Sequence, residues 1–156
     1  MINGMKQDIH NSLIEQVRIS LLKIIKSSVS DFTIESNDAG SDVLIMAIHG
    51  GKIEPGTTEL ARNLSRKYNY NYYSFVGKKS NHNASLHITS TDFREPKAIE
   101  MSARSSATIS IHGCAGSNQF TYIGGRDDDL GMKIKAALEK NGFTVLAAAP
   151  GLSGKS

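Results

Sequence analysis

A single cysteine, Cys114, is all the chain carries among its 156 residues. That excludes an intramolecular disulfide framework and a cysteine-rich structural zinc module. Long uncharged apolar runs are missing as well. The greasiest stretch, Leu13 to Ile25, is interrupted by Glu15, Arg18 and Lys23. A spanning helix needs about 20 mostly apolar residues, and a secretory h-region is uncharged. Neither a membrane span nor a signal peptide is therefore expected. The chain reads as made in the cytoplasm, and an extracellular role requires another exit, such as release by cell lysis. Internal repeats, linkers and collagen-like or coiled-coil patterns are also lacking.

What is present supports a folded core. Hydrophobic residues make up 39% of the chain and charged ones 21%, outside the disordered regime. This length suits one domain over 1–156, with an amphipathic helix at about 12–29 as an appendage. The net charge of +3 is unevenly placed: residues 31–51 carry four acids and no base, residues 52–79 six bases and two acids. A local basic segment favours an anionic partner. Lysine and arginine do not interleave with aromatics, so nucleic acid is not the expected partner.

Alternation predicts strands at Phe32–Ser36, Tyr72–Val76 and Leu86–Ile88, and again at Ala107–Ile111, Phe120–Ile123 and Phe143–Leu146. Val43–Ile48 is continuously apolar, the pattern of a strand covered on both faces. Helical spacing marks Thr58–Lys67. Glu95-Pro96 opens a second helix to about Arg104. Asp127, Asp128 and Asp129 open a third, which ends near Gly142. Strands alternating with helices imply an α/β fold, an open, mostly parallel (mixed) sheet with helices on both faces.

Two of these strands share a design. Ile48-His49-Gly50-Gly51 and Ile111-His112-Gly113 each end a buried strand with histidine and then glycine. In open α/β sheets the ligand crevice lies outside the carboxyl ends of the strands, so the two histidines can face one another there. Glu54 follows His49 by five residues, and the glycine pair allows the chain to fold back. Two histidines and one carboxylate are the ligand set of a catalytic zinc, with a fourth position left for water.

The runs IMAIHGGKIEPGTTELA, SLHITSTDF with Glu-Pro just after, ISIHGCAG and YIGGRDDDL together resemble the poly-γ-glutamate hydrolase family. These are phage and prophage enzymes related in fold to zinc carboxypeptidases. The likeness extends from about Asp38 to Ala147. It implies one Zn2+ bound by His49, Glu54 and His112, and cleavage of the γ-linked amide in polyanionic poly-γ-glutamate. Arg126, in the family-like GGRD stretch, is the favoured substrate-binding residue, with Arg94 and His87 as further candidates. His82 and His10 are expected to have no role, and Cys114 to be a small buried packing residue. In the family the chain continues past the point matching Gly151–Ser156. An Asn-Ile-Cys-Asn-Arg-Gly-like segment leads to a Gln-Leu-Glu strand whose glutamate is the expected general base. Neither segment lies within these residues, so the general base is unassigned and Glu59 is the candidate. Two other readings stand beside the hydrolase: a zinc-containing relative that only binds an anionic polymer, and a zinc amidase of peptidoglycan.

Overall fold

A computed structural model describes residues 30–148. The helix expected over 12–29 lies outside the described residues. These fall into two compact units, divided after Cys114, and each is described by itself.

The first unit is built around β2 (Val43–Gly51), whose residues Leu44 to Gly50 are all buried. Its unbroken apolar run is explained by its place in the sheet, whose strand order is β1-β3-β2-β4. β3 (Asn71–Gly77) and β4 (Ala107–Ser110) flank β2 in parallel, and β1 (Phe32–Asn37) closes one edge antiparallel to β3. One face packs Leu44, Met46, Tyr73 and Phe75 against Ala98 and Met101 of α2 (Pro96–Ala103). The other packs Ile45, Ala47 and Tyr72 against Ala61 and Leu64 of α1 (Thr57–Tyr68). Helices thus cover both faces, as alternation predicts.

The helix starts follow from local chemistry. The buried carboxylate of Glu95 accepts from the backbone N–H of Lys97 (3.1 Å) and of Ala98 (2.8 Å), ahead of Pro96. It satisfies two of the donors a helix start leaves unpaired.

The strand that alternation predicts over Leu86–Ile88 is not one. Asn83–Leu86 and Ser90–Asp92 are short 3-10 turns, and no strand pairs with the segment between them. The alternation itself is real, since Leu86 and Ile88 are buried and His87 points out. The two apolar side chains anchor a loop in the core without a backbone ladder.

In the second unit β5 (Thr121–Ile123) pairs in parallel with β6 (Val145–Ala147), joined through α3 (Asp128–Lys140). Asp127 caps α3 by accepting from Leu130 N–H at 2.9 Å, and Gly142 takes a positive φ of 85° just past its end. Phe143, expected to begin the last strand, is exposed and lies before it. Among the described residues, no helix is long and apolar enough to cross a membrane.

Candidate metal centre

β2 connects through α1 to a neighbour on one side, and its other neighbour, β4, is reached through α2. The strand order therefore reverses about β2, and a crevice forms outside the carboxyl ends of β2 and β4. His49 lies at the end of the first strand and His112 two residues past the second.

A bulge aims His49. Between Ala47 and Gly50 the β2–β3 register slips: Ala47 pairs with Ser74, yet Gly50 pairs with Val76. The extra residue re-aims a side chain that strict alternation would send elsewhere. The His49 ring turns instead to the loop, where its Nε2 meets the carbonyl of Ile88 at 2.7 Å. A carbonyl only accepts, so Nε2 carries hydrogen and donates. In the neutral ring Nδ1 is then left with a lone pair.

Nδ1 lies 3.0 Å from Glu54 Oε1. Glu54 reaches this point because the chain folds back at the glycine pair, with its N–H donating to the His49 carbonyl at 2.8 Å. Its second oxygen, Oε2, is 3.4 Å from His112 Nδ1 and accepts from the N–H of Gly113 at 2.9 Å. His112 is also braced from its far side, here by a hydroxyl that can either donate or accept. Its Nε2 lies 3.0 Å from the hydroxyl of Ser110, so Nδ1 again faces inward.

These three residues can hold a metal ion, and the donor set fits one. One ligand atom from each lies within 4.8 Å of the others. The Nδ1 lone pair of neutral His49 and the Glu54 carboxylate repel one another unless a cation or a proton sits between them. While no cation is bound, a proton on Nδ1 can take that place. Burial opposes ionisation of Glu54, but the contacts with His112 and His49, together with the Gly113 N–H, outweigh burial and hold its carboxyl well below the usual range. The charge the cluster needs for a cation is therefore retained.

His87 joins the cluster in a different way. Its ring stacks on that of His49, with centroids 3.9 Å apart and planes 27° from parallel. Lone pairs of stacked rings run side by side instead of converging, so His87 covers a ligand without being one. Its Nε2 is 3.5 Å from Glu54 Oε1 and the side chain is 47% exposed. Burial and the neighbouring His49 shift its pKa down, against the pull of Glu54.

The other expected residues are placed as follows. Arg94 precedes α2 and donates to the carbonyl of Phe93 at 3.1 Å. Glu59 is exposed in the first turn of α1. Arg126 belongs to the second unit, between β5 and α3. His82 is exposed beside Asn81. Cys114 is not a packing residue: it is exposed, because the chain leaves the sheet at Ser110 and residues 112–119 all face solvent.

Ser110 and the Gly113 N–H have no signal in the sequence beyond adjacency to His112, and the Ile88 carbonyl has none. Ser110 allows a direct test. Partners of ligand histidines typically set 10–100-fold in metal affinity. Ser110→Ala should weaken metal binding by at least about tenfold on that scale, and Ser110→Thr should restore it. Competition against a chromophoric chelator reads this out, and unchanged affinity in Ser110→Ala counts against the assignment.

The family model for poly-gamma-glutamate hydrolase matches residues 19–156. The UPF0714 protein YndL of Bacillus subtilis (strain 168) is 44% identical over 114 residues, which are 73% of this chain and 44% of YndL. The SPbeta prophage-derived UPF0714 protein YoqZ of the same organism is 40% identical over 136 residues, 86% of this chain and 49% of YoqZ. The chain thus spans about half the length of the curated relatives it matches. The solved structure of zinc-free apo YNDL has a TM-score of 0.75 at 40% identity, covering 80% of this chain and 60% of that one. That of a bacteriophage poly-gamma-glutamate hydrolase has a TM-score of 0.78 at 29% identity, covering 85% and 64%. The family model spans most of the chain, and a solved hydrolase shares its fold. The chain belongs to the poly-gamma-glutamate hydrolase family.

Proposed function

We propose that the chain is a zinc-dependent hydrolase of the γ-glutamyl amide bonds of poly-γ-glutamate. The observation that carries this reading is the convergence of His49 Nδ1, the Glu54 carboxylate and His112 Nδ1 at one end of a parallel sheet. The family match supports the polymer substrate over peptidoglycan, and a relative studied in a zinc-free form supports zinc. Zinc bound there would supply a Lewis acid for the scissile carbonyl and lower the pKa of water to about 7.

The residues of the chain do the rest. His49 and His112 present Nδ1 because their Nε2 atoms are engaged elsewhere. Glu54 neutralises charge and, as a ligand, is not free to carry the proton. His87, half-exposed over His49, offers a ring nitrogen to a substrate at the mouth of the centre. Arg126 is assigned a substrate carboxylate, which a guanidinium holds bidentately, and Arg94 is the lesser candidate. A base must pass a proton to the leaving amine; Glu59 is the first residue to test for that role. A lytic exit suits action on an extracellular polymer, since one relative is prophage-derived.

One observation favours a binding protein without turnover. Among the described residues Glu54 is the sole carboxylate in the cluster, and it serves as a ligand. A single experiment separates the readings: metal analysis of chelator-free protein together with chain-length analysis of poly-γ-glutamate. One zinc per chain and a shortening polymer, both lost to a chelator, are expected. Zinc bound with the polymer bound but intact supports the binding protein, and absence of metal sinks both.

A further inference from the structure

The basic segment 52–79 is not spread evenly over the surface. β2 and β3 run parallel and end in register, Gly51 opposite Gly77. The next residue on each strand is a lysine, so Lys52 and Lys78 leave the sheet side by side. The backbone ties them, Lys52 N–H donating to the Gly77 carbonyl at 2.9 Å. Glycine is required at both strand ends for this approach. A Cβ on Gly51 would lie 2.5 Å from the Gly77 carbonyl oxygen, and one on Gly77 would lie 2.6 Å from Ile53 Cγ1.

The two lysines line an open cleft of about 630 Å³ whose wall also includes Pro55 and Gly56. The same turn, 49–56, supplies His49 and Glu54, so the cleft and the metal centre share one loop. Both lysines are exposed, and neither has an ion-pair partner among the described residues. Arg62, Lys97 and Arg104 of this unit are paired, with Glu35, Glu100 and Asp38. Lys79 and Arg94 have hydrogen-bond partners instead, and what distinguishes Lys52 and Lys78 is that they line one cleft together. Glu59 lines the cleft too but pairs with neither lysine. Like charges on neighbouring strands destabilise a sheet, so the fold keeps an uncompensated pair that an anion would neutralise.

We propose that Lys52 and Lys78 form a subsite for a carboxylate of the substrate chain beside the metal centre. This deepens the poly-γ-glutamate reading and rests on it. Every residue of a γ-linked chain keeps a free α-carboxylate, so a segment bound across the centre presents anions on both sides of the scissile amide. Ammonium groups are point charges on flexible stems. They suit a polymer that must be held at many registers, where a rigid guanidinium fork would select one.

The test is fluorescence anisotropy of a labelled oligo-γ-glutamate on the metal-loaded 156-residue chain. Lys52→Ala/Lys78→Ala should bind about tenfold more weakly, the scale of two exposed ion pairs, with unchanged zinc content. The difference should shrink at high salt, which screens exposed charges. Lys97→Ala/Arg104→Ala removes the same charge from α2 and its end and should bind like the parent chain. Equal weakening in both double variants, or none in the first, overturns the subsite while leaving the hydrolase reading in place. A parent chain that holds zinc and binds no oligo-γ-glutamate overturns both.

Discussion

Glu54→Gln should abolish metal binding and, with it, cleavage of the polymer. The glutamine keeps the shape of the side chain, and its amide oxygen still accepts from the N–H of Gly113. What it loses is the negative charge between His49 and His112. Its amide hydrogen also donates directly to His49 Nδ1, 3.0 Å away in the parent chain, filling the lone pair a metal would use. Partners one step removed from a metal set about 10–100-fold in affinity, so loss of a ligand should exceed about 100-fold on that scale. Calorimetric titration with zinc reads this directly. Thermal melts supply a second readout, because only a ligand that binds the folded state raises the melting point. Added zinc should stabilise the parent chain and leave Glu54→Gln where it was, with both melting alike in a chelator. Zinc affinity at the parent level in Glu54→Gln would falsify the ligand assignment.

Gly50→Ala should cost far more stability than Gly40→Ala. An added Cβ would sit 2.1 Å from Thr58 Oγ1, 2.4 Å from Ser74 Oγ and 3.0 Å from the Phe75 carbonyl. Neither hydroxyl can retreat. Thr58 and Ser74 are buried and bonded to one another at 2.8 Å, and Thr58 also accepts from Gly51 N–H at 2.9 Å. Overpacking costs about 1–3 kcal/mol, and each buried polar group left without a partner adds roughly 1–3 kcal/mol. A total of about 3–5 kcal/mol is expected, a fall in melting temperature on the order of 10–20 °C. Gly40→Ala is the comparison, because Gly40 has a positive φ of 72° and nothing within 4 Å of an added Cβ. It should lose only about 1–2 kcal/mol, from the left-handed backbone alone. Melts of both in chelator, so that metal plays no part, decide the matter, and equal losses would refute the packing argument.

The two histidines of the cluster were legible from the glycine that follows each at a strand's end. His49 is marked a second time by the buried apolar run before it, whereas β4 ahead of His112 is only partly buried. The β2 core was legible from that run: only a strand covered on both faces keeps an unbroken run from Val43 to Ile48. Leu86–Ile88 shows where the pattern misleads. Alternating burial needs a buried neighbour every second residue, and a loop pinned to a core supplies that as well as a sheet does. Cys114 was misjudged because apolar context before a turn says nothing of where the chain goes after it. The parts that hold the ligands in place were the least visible. A backbone carbonyl has no letter, and one serine in an Ile-Ser-Ile strand is unremarkable until its hydroxyl is seen beside His112.

The bond from His49 to the Ile88 carbonyl has a bearing on how this protein can change by mutation. A codon substitution at position 88 alters the side chain but never removes the carbonyl, so any apolar residue that fills the core place of Ile88 leaves the acceptor for His49 in position. The loop between β3 and α2 is sheltered in what its letters are and exposed in how many there are. Insertion or deletion of one residue between Leu86 and Ile88 would carry the acceptor out of reach. Libraries built on this chain can vary the exposed positions of that stretch, should keep Leu86 and Ile88 apolar because both sit in the core, and should leave its length unchanged.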